Sequence, residues 1–264
     1  MLSERENIAI AELAVYILAI IAGIAVIFKH GFKKGRAWMY LVTFSGLRIA
    51  SAIFEIESVN NPTDRTDATW TSILGSIGLS PLLLAASGLL RRVNDFITSG
   101  TSRARMLEIL HLPILLALVI AIIGGTRISS SDTSKHSSGE DFEKGAVIIF
   151  LISYIAIVAL ALLTAAESGD IPRGEKRILY AVLAALPLLA VRLLYSILAD
   201  FVDNSTFNIL DGNATVQLCM EIIEEFIVTV FFLASGFLAP ALDSLVNRPS
   251  GVPMNKFHGN NGVA

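Results

Sequence analysis

Two arginines and a row of glutamates lie inside stretches of sequence that are otherwise apolar. Arg48 falls in the middle of Ala37–Ile56 and Arg192 near the middle of Ile178–Ala199, while Glu221, Glu224 and Glu225 lie within Thr215–Leu238. With Gln217 ahead of them, the three acids follow i, i+4, i+7, i+8 spacing, which on an α-helix makes one polar stripe. A charge at the centre of a hydrocarbon layer costs roughly 2.5 to 3.5 kcal/mol even on the mildest scale. Each of these groups therefore needs an opposite charge, water or a ligand. Arginine is suited to the first, because its planar guanidinium meets a carboxylate bidentately. Arg48 and Glu55 share a helix face, but seven residues separate them by about 10.5 Å along the axis. Each must find its partner on another helix. Counting Glu12 with Glu55, Glu221, Glu224 and Glu225 against Arg48 and Arg192 leaves carboxylates in surplus. A surplus points past a balanced ion-pair network that fixes helix packing, toward a polar cavity whose unmatched acids are protonated, hydrated, or met by a cation or an amine.

The elements that must position these groups are membrane-spanning helices. The chain has 264 residues, 54% hydrophobic and 16% charged, against about 45 to 50% and 25% in soluble domains. Seven apolar runs stand out: Ile8–Phe28, Ala37–Ile56, Trp70–Leu90, Leu107–Gly124, Ala146–Ala166, Ile178–Ala199 and Thr215–Leu238. Each is long enough to cross about 30 Å of hydrocarbon as a helix. The expected fold is all-α and polytopic, with seven transmembrane helices in residues 1–247 and a disordered cytoplasmic tail over 248–264. Met1–Asn7 lacks the basic leader of a cleaved signal, so the first run is expected to stay as a helix. The Ser- and Gly-rich segment Ser129–Gly145 is expected to be a disordered external loop. Pro81, Pro113 and Pro187 read as tolerated kinks, with Pro187 placed to open the backbone beside Arg192. Ser72, Ser76 and Ser80 read as a small-residue face for close helix approach.

Orientation follows from the basic residues. Thirteen Lys and Arg fall in the loops after the first, third and fifth runs and in the tail, and five fall on the opposite side. The positive-inside rule places the amino terminus outside and the carboxyl terminus in the cytoplasm. The sixth loop carries Asn204-Ser205-Thr206 and Asn213-Ala214-Thr215, both N-glycosylation acceptor patterns and both on the side assigned as extracellular or lumenal. The expected location is the plasma membrane or an endomembrane of the secretory pathway.

Several chemistries lack their residues. The net charge of −3 gives no sign of nucleic acid as a partner. His111 is the sole histidine within a run, which rules out a multi-histidine zinc centre, and no run contains a lysine for a retinal Schiff base. The single cysteine, Cys219, permits no disulfide within the chain and reads as an apolar filler. No nucleophile, base and acid fall at a supporting spacing, so the expectation is no enzyme, no metal and no cofactor. The order of features does repeat. Tyr16-Ile17, Lys34-Gly35-Arg36, Arg48/Ser51/Glu55 and Ala86-Ser87-Gly88 are followed by Tyr154-Ile155, Arg173-Gly174-Glu175-Lys176, Arg192/Ser196/Asp200 and Ala234-Ser235-Gly236. This pattern predicts two parallel three-helix units joined by the fourth helix, a three-one-three plan.

Gly78–Arg92 (GLSPLLLAASGLLRR), Val191–Leu198 (VRLLYSIL) and the acid-rich seventh run resemble a fungal family of seven-helix integral membrane proteins. That family is itself similar to the RTA-like proteins, which are associated with resistance to toxic lipids and described as lipid-translocating exporters. The resemblance implies roles for Arg192 and for Glu221 and Glu225, and it puts Asp200 where the family pattern has a closing glutamate. The functional expectation is a membrane protein that binds or translocates a small amphiphile, in particular an amine-bearing lipid. Arg48, Glu55, Arg192, Glu221, Glu224 and Glu225 would form its polar lining, and membrane lipids would be its partners. A seven-helix receptor or sensor and a purely structural membrane protein are the alternatives. The topology is tested by expression in a eukaryotic secretory pathway. Asn204 should acquire glycan, and Asn204→Gln should abolish the glycosidase-sensitive gel shift, whereas protease cleavage near Lys33 from the external face would reverse the orientation.

Overall fold

A computed structural model describes residues 4–32, 35–60, 65–97, 100–129, 133–202 and 214–240. Among these residues every regular element is helical. The helices are α1 (Glu4–His30), α2 (Arg36–Asn60), α3 (Arg65–Ile77), α4 (Leu79–Asn94), α5 (Gly100–Ile109), α6 (His111–Ile128), α7 (Thr133–Ala166), α8 (Arg173–Phe201), α9 (Ala214–Gln217) and α10 (Ile223–Leu238). A π-helical turn, Leu218–Ile222, joins α9 to α10. Six stretches are long and apolar enough to cross a membrane: Arg5–His30, Arg36–Asn60, Thr69–Asn94, Gly100–Ile128, Ser134–Ala166 and Arg173–Phe201. Residues 214–238 continue as helix through the π turn and carry the acids that set them apart. Asn204, Asn213 and the tail from 248 onward lie outside the described residues.

The third and fourth apolar runs are each broken where the sequence would break a helix. Pro81 has no N–H to give the carbonyl of Ile77, and the Ser80 hydroxyl donates to that carbonyl instead, at 2.9 Å. Gly78 N–H turns to Gly75 O at 3.3 Å, an i to i−3 bond. In the fourth run the break falls at Leu110, three residues before Pro113. Pro187, by contrast, stays inside an unbroken α8, so it does not open the backbone beside Arg192.

The third span is the axis of the bundle. Leu82, Leu83, Ala85, Ala86, Leu89 and Leu90 of α4 are fully buried, with α2, α5 and α8 packed around them. The surrounding helices turn large apolar side chains outward: Leu18, Phe28, Leu112 and Ile152 are each 62 to 69% exposed. A water-soluble monomer rarely shows such continuous apolar surface, whereas lipid tails would cover it.

Small residues set how closely the helices approach. A Cβ on Gly88 would stand 3.1 Å from that of Ala37, and one on Gly236 would stand 2.6 Å from Trp38 Nε1. Both Ala-Ser-Gly motifs thus press on the first turn of α2. Their serines also act alike, Ser87 donating to Leu84 O at 3.0 Å and Ser235 to Phe232 O at 2.7 Å.

Ser129–Gly145 is not a disordered loop over its described part. From Thr133 it is the first three turns of α7, lying along α6. Gly139 and Gly124 allow backbone contact here, since a Cβ on Gly139 would be 2.8 Å from Gly124 O. Arg127 covers the ring of Phe142 with its guanidinium 4.8 Å from the centroid. The segment is too polar to fold alone, but it does not fold alone: α6 supplies the surface.

One end of the bundle gathers the basic side chains. Lys29 Nζ donates to Phe237 O (2.5 Å) and Ala239 O (2.9 Å), and Arg177 donates to Leu238 O. These cations satisfy carbonyls that the end of α10 leaves without intrahelical partners, at the pole where the helix dipole favours positive charge. Arg92 meets Glu175 bidentately (2.9 and 2.6 Å) and donates to His30 Nδ1 at 3.2 Å. His30 stacks on Trp38, and its Nε2 donates to Gly236 O at 2.8 Å.

The close approach at Gly236 gives a stability prediction. Gly236→Val should cost about 1 to 3 kcal/mol, because its side chain would overlap Val26 and Trp38. Gly46→Ala, with open space around it, should be neutral or stabilising by up to about 1 kcal/mol. Thermal unfolding of both variants in detergent checks the contrast.

Candidate functional site

The two arginines within the apolar runs converge on the same pair of acids. From α2, Arg48 Nε donates to Glu225 Oε2 at 2.5 Å and Nη2 to Glu221 Oε1 at 2.8 Å. From α8, Arg192 Nε donates to Glu225 Oε1 at 2.7 Å and Nη2 to Glu221 Oε1 at 3.1 Å. Glu225 is thereby held between two guanidiniums, one on each oxygen. All four side chains are 3% exposed or less. This is a buried interhelical network joining α2, α8 and the helical segment 214–238, referred to below as the seventh span after the seventh apolar run.

Its remaining hydrogen bonds depend on the broken third span. Because the helix stops at Ile77, the Gly75 carbonyl is left with only the long bond from Gly78, and Arg192 Nη2 donates to it at 2.8 Å. Arg192 Nη1 donates to Ser196 Oγ, one turn along α8, at 2.7 Å. The ring of Phe44 lies 5.9 Å from the Arg48 guanidinium and that of Tyr195 5.8 Å from Arg192, so aromatic faces close the shell around both cations. Glu221 lies on the π turn; such turns occur mostly as single insertions into α-helices, often at functional positions.

The other acids of the predicted lining go elsewhere. Glu55 pairs with Arg5 of α1 at 3.7 Å, toward the far end of the bundle from the basic cluster. Glu224 is half-buried, with one oxygen, Oε2, buried and unpartnered. One residue before Glu225, it is turned about 100° around the helix and makes no ion pair with Arg48 or Arg192. Glu12, which the spacing placed near a helix end, instead approaches the network, with Oε1 4.0 Å from Arg48 Nη1. His111 donates or accepts at Ser87 Oγ, 2.9 Å away, consistent with a packing role. Among the described residues no His, Cys, Asp and Glu groups are arranged to hold a metal ion.

Beside the network is a narrow recess of about 20 Å³, room for about one water molecule or a head group of that size. Arg192, Ser196, Ser76 and Tyr195 line it together with the apolar Ala146, Val147 and Phe150. Two further carboxyl groups, Glu143 of α7 and Asp200 of α8, line it as well. The stem of Glu143 crosses Gly124, whose missing side chain leaves the room. Two carboxyl groups thus share the recess with the buried Arg192 guanidinium.

Sequence reasoning identified Asp200 as a helix-end acid and did not identify Glu143, which it assigned to a loop. The available signal was helical spacing: His136, Glu140 and Lys144 recur every fourth residue, and His136 lies 3.5 Å from Glu140 in the folded chain. The Arg92–Glu175–His30 cluster had no such signal, because its members are far apart in sequence and lie at the ends of runs.

Residues 2–242 match the profile of the family Domain of unknown function (DUF7702), and the chain belongs to that family. No curated protein and no solved structure matches it significantly.

The geometry of the network fixes which charges are coupled. Removing one partner of a buried pair typically costs about 3 to 5 kcal/mol, and Arg192→Gln should fall in that range. In double-mutant cycles, Arg48 with Glu225 should show a coupling energy of about 1 to 3 kcal/mol, while Arg48 with Glu224 should be additive within about 0.5 kcal/mol. Unfolding free energies of the single and double variants in one detergent supply both values.

Proposed function

We propose that this DUF7702 protein is an integral membrane protein that binds a small amphiphile with a cationic head, such as an amine-bearing lipid, and moves it across or within the bilayer. The observation that carries the reading is the recess among α3, α6, α7 and α8, where Glu143 and Asp200 line a space of about 20 Å³ together with Arg192, Ser196 and apolar side chains; it has room for a head group alone and would have to widen for an alkyl body. An ammonium group would meet the two carboxyl groups, and an alkyl body along Val147 and Phe150 would gain about 0.8 kcal/mol per buried methylene. This moves the proposed ligand contacts from Glu221 and Glu225, whose charges are matched by arginine, to Glu143 and Asp200.

Movement of the ligand would use the break between α3 and α4, since the Arg192 bond to Gly75 O ties the recess to that break. A parallel arrangement of two three-helix units would fit this reading. Arg48 and Arg192 reach the same acids from α2 and α8, and the two Ala-Ser-Gly motifs press on neighbouring residues of α2. The basic end of the bundle would face the cytoplasm by the positive-inside rule, so that the recess lies toward the extracellular or lumenal side.

Purified protein titrated with a long-chain amine and with the alcohol of the same length tests the reading through thermal stability, because a ligand that prefers the folded state raises it. The amine should stabilise more than the alcohol, and the difference should vanish in Glu143→Gln/Asp200→Asn. Binding of the cation favours the ionised carboxylates, so the amine effect should strengthen as pH rises and fail on acidification. Equal stabilisation by both compounds would remove the charge-selective part of the proposal.

A further inference from the structure

The buried charges joining α1, α2, α8 and the seventh span do not balance. Three carboxyl groups, Glu12, Glu221 and Glu225, face two guanidiniums, Arg48 and Arg192, and all five residues are 5% exposed or less. Glu225 is satisfied on both oxygens, and Glu221 on Oε1. Glu12 Oε1 stands 4.0 Å from Arg48 Nη1, beyond hydrogen-bond distance, and is buried without a partner. Two more buried oxygens of this region are also unpartnered: the hydroxyl of Tyr16, one turn along α1 from Glu12, and Oε2 of Glu221. Leaving an ionised carboxylate in such a place, short of donors and beside two other carboxylates, is among the most unfavourable arrangements a protein interior offers.

One positive charge is therefore missing from the network, and its place is marked by the oxygens that lack partners. We infer that Glu12 is a proton-binding site, a neutral carboxylic acid whose proton completes the charge of the Arg48/Arg192/Glu221/Glu225 network. A proton fits better than a metal ion, because no group of His, Cys, Asp and Glu side chains among the described residues is arranged to hold one. The charged and titratable groups that act on Glu12 are Tyr16 on its own helix, Arg48 and Glu55 from α2, and Glu221 and Glu225 from the seventh span. Glu55 has Arg5 as its own partner, so the proton on Glu12 alone decides whether the inner network is neutral or carries one negative charge. Loss of that proton would set Glu12 against Glu221 across the contact between α1 and the seventh span. This inference rests on the network and stands apart from the recess and its ligand.

The test uses the full chain in detergent or lipid nanodiscs. Infrared spectra at neutral pH should contain the carbonyl stretch of a protonated carboxylic acid that moves in D2O and is missing from Glu12→Gln. Glutamine copies the shape and neutrality of the protonated acid, so Glu12→Gln should melt within about 3 °C of the wild type. A drop of about 10 °C or more in Glu12→Gln at neutral pH, or its failure to fold, would show that an ionised Glu12 is needed by Arg48 and would overturn the assignment. So would the absence of a Glu12-dependent infrared band. Stabilisation by sodium chloride but not choline chloride, lost in Glu12→Gln, would give the missing charge to a metal cation and overturn the proton.

Discussion

Two arginines sharing two glutamates in the interior of the bundle are the interaction on which the other arrangements depend. A guanidinium taken out of water loses several kcal/mol of solvation, and a single carboxylate contact does not restore it. Arg192 makes four contacts, to Glu225, Glu221, Ser196 and the carbonyl of Gly75. Three helical segments besides α8 thus have to be in place before Arg192 is satisfied: α2 indirectly through the shared acids, α3 through its freed carbonyl, and the seventh span. The order of helices around the centre is set by this requirement as much as by apolar packing. In lipid, apolar packing alone discriminates little between neighbours, since the tails are as apolar as leucine.

The break in the third span has a clear part in this. An unbroken helix would have used Gly75 O for its own ladder, and Arg192 would have lacked an acceptor. Gly78 and Pro81 stop α3, Ser80 takes up the carbonyl that Pro81 leaves, and the arginine takes up the other. A local defect of one helix becomes the partner of a charge on another. The break also adjoins the recess, which Ser76 and Arg192 both line.

The two ends of the bundle are held by different means. At the basic end, Lys29, His30 and Arg177 hold the carbonyls that finish α10, and Arg92 with Glu175 sits buried behind them. At the far end, close contact of α6 with α7 relies on glycine, at 124 and 139, and the polar first turns of α7 are ordered by that contact. The recess lies nearer the second end, between Glu143 of α7 and Asp200 of α8.

The periodicity and length of its apolar runs determined that this chain is all-α and has helices of membrane-spanning length, because each such helix satisfies its own backbone without reference to the rest. The cost of a charge in hydrocarbon likewise marked Arg48, Arg192, Glu221 and Glu225 as groups that need partners on other helices, and they meet. What sequence spacing could not decide was which acids share those partners. Glu12 is drawn in from α1 and Glu224 is left out, because a difference of one residue turns a side chain by about 100° and contact between helices depends on their relative rotation. Nor could local composition show that Thr133–Gly145 is helical: its polarity is that of a loop, and the surface that orders it belongs to α6. The recess with Glu143 and Asp200 was decided by tertiary structure alone, since its walls come from four helices and its space from a side chain that Gly124 does not have.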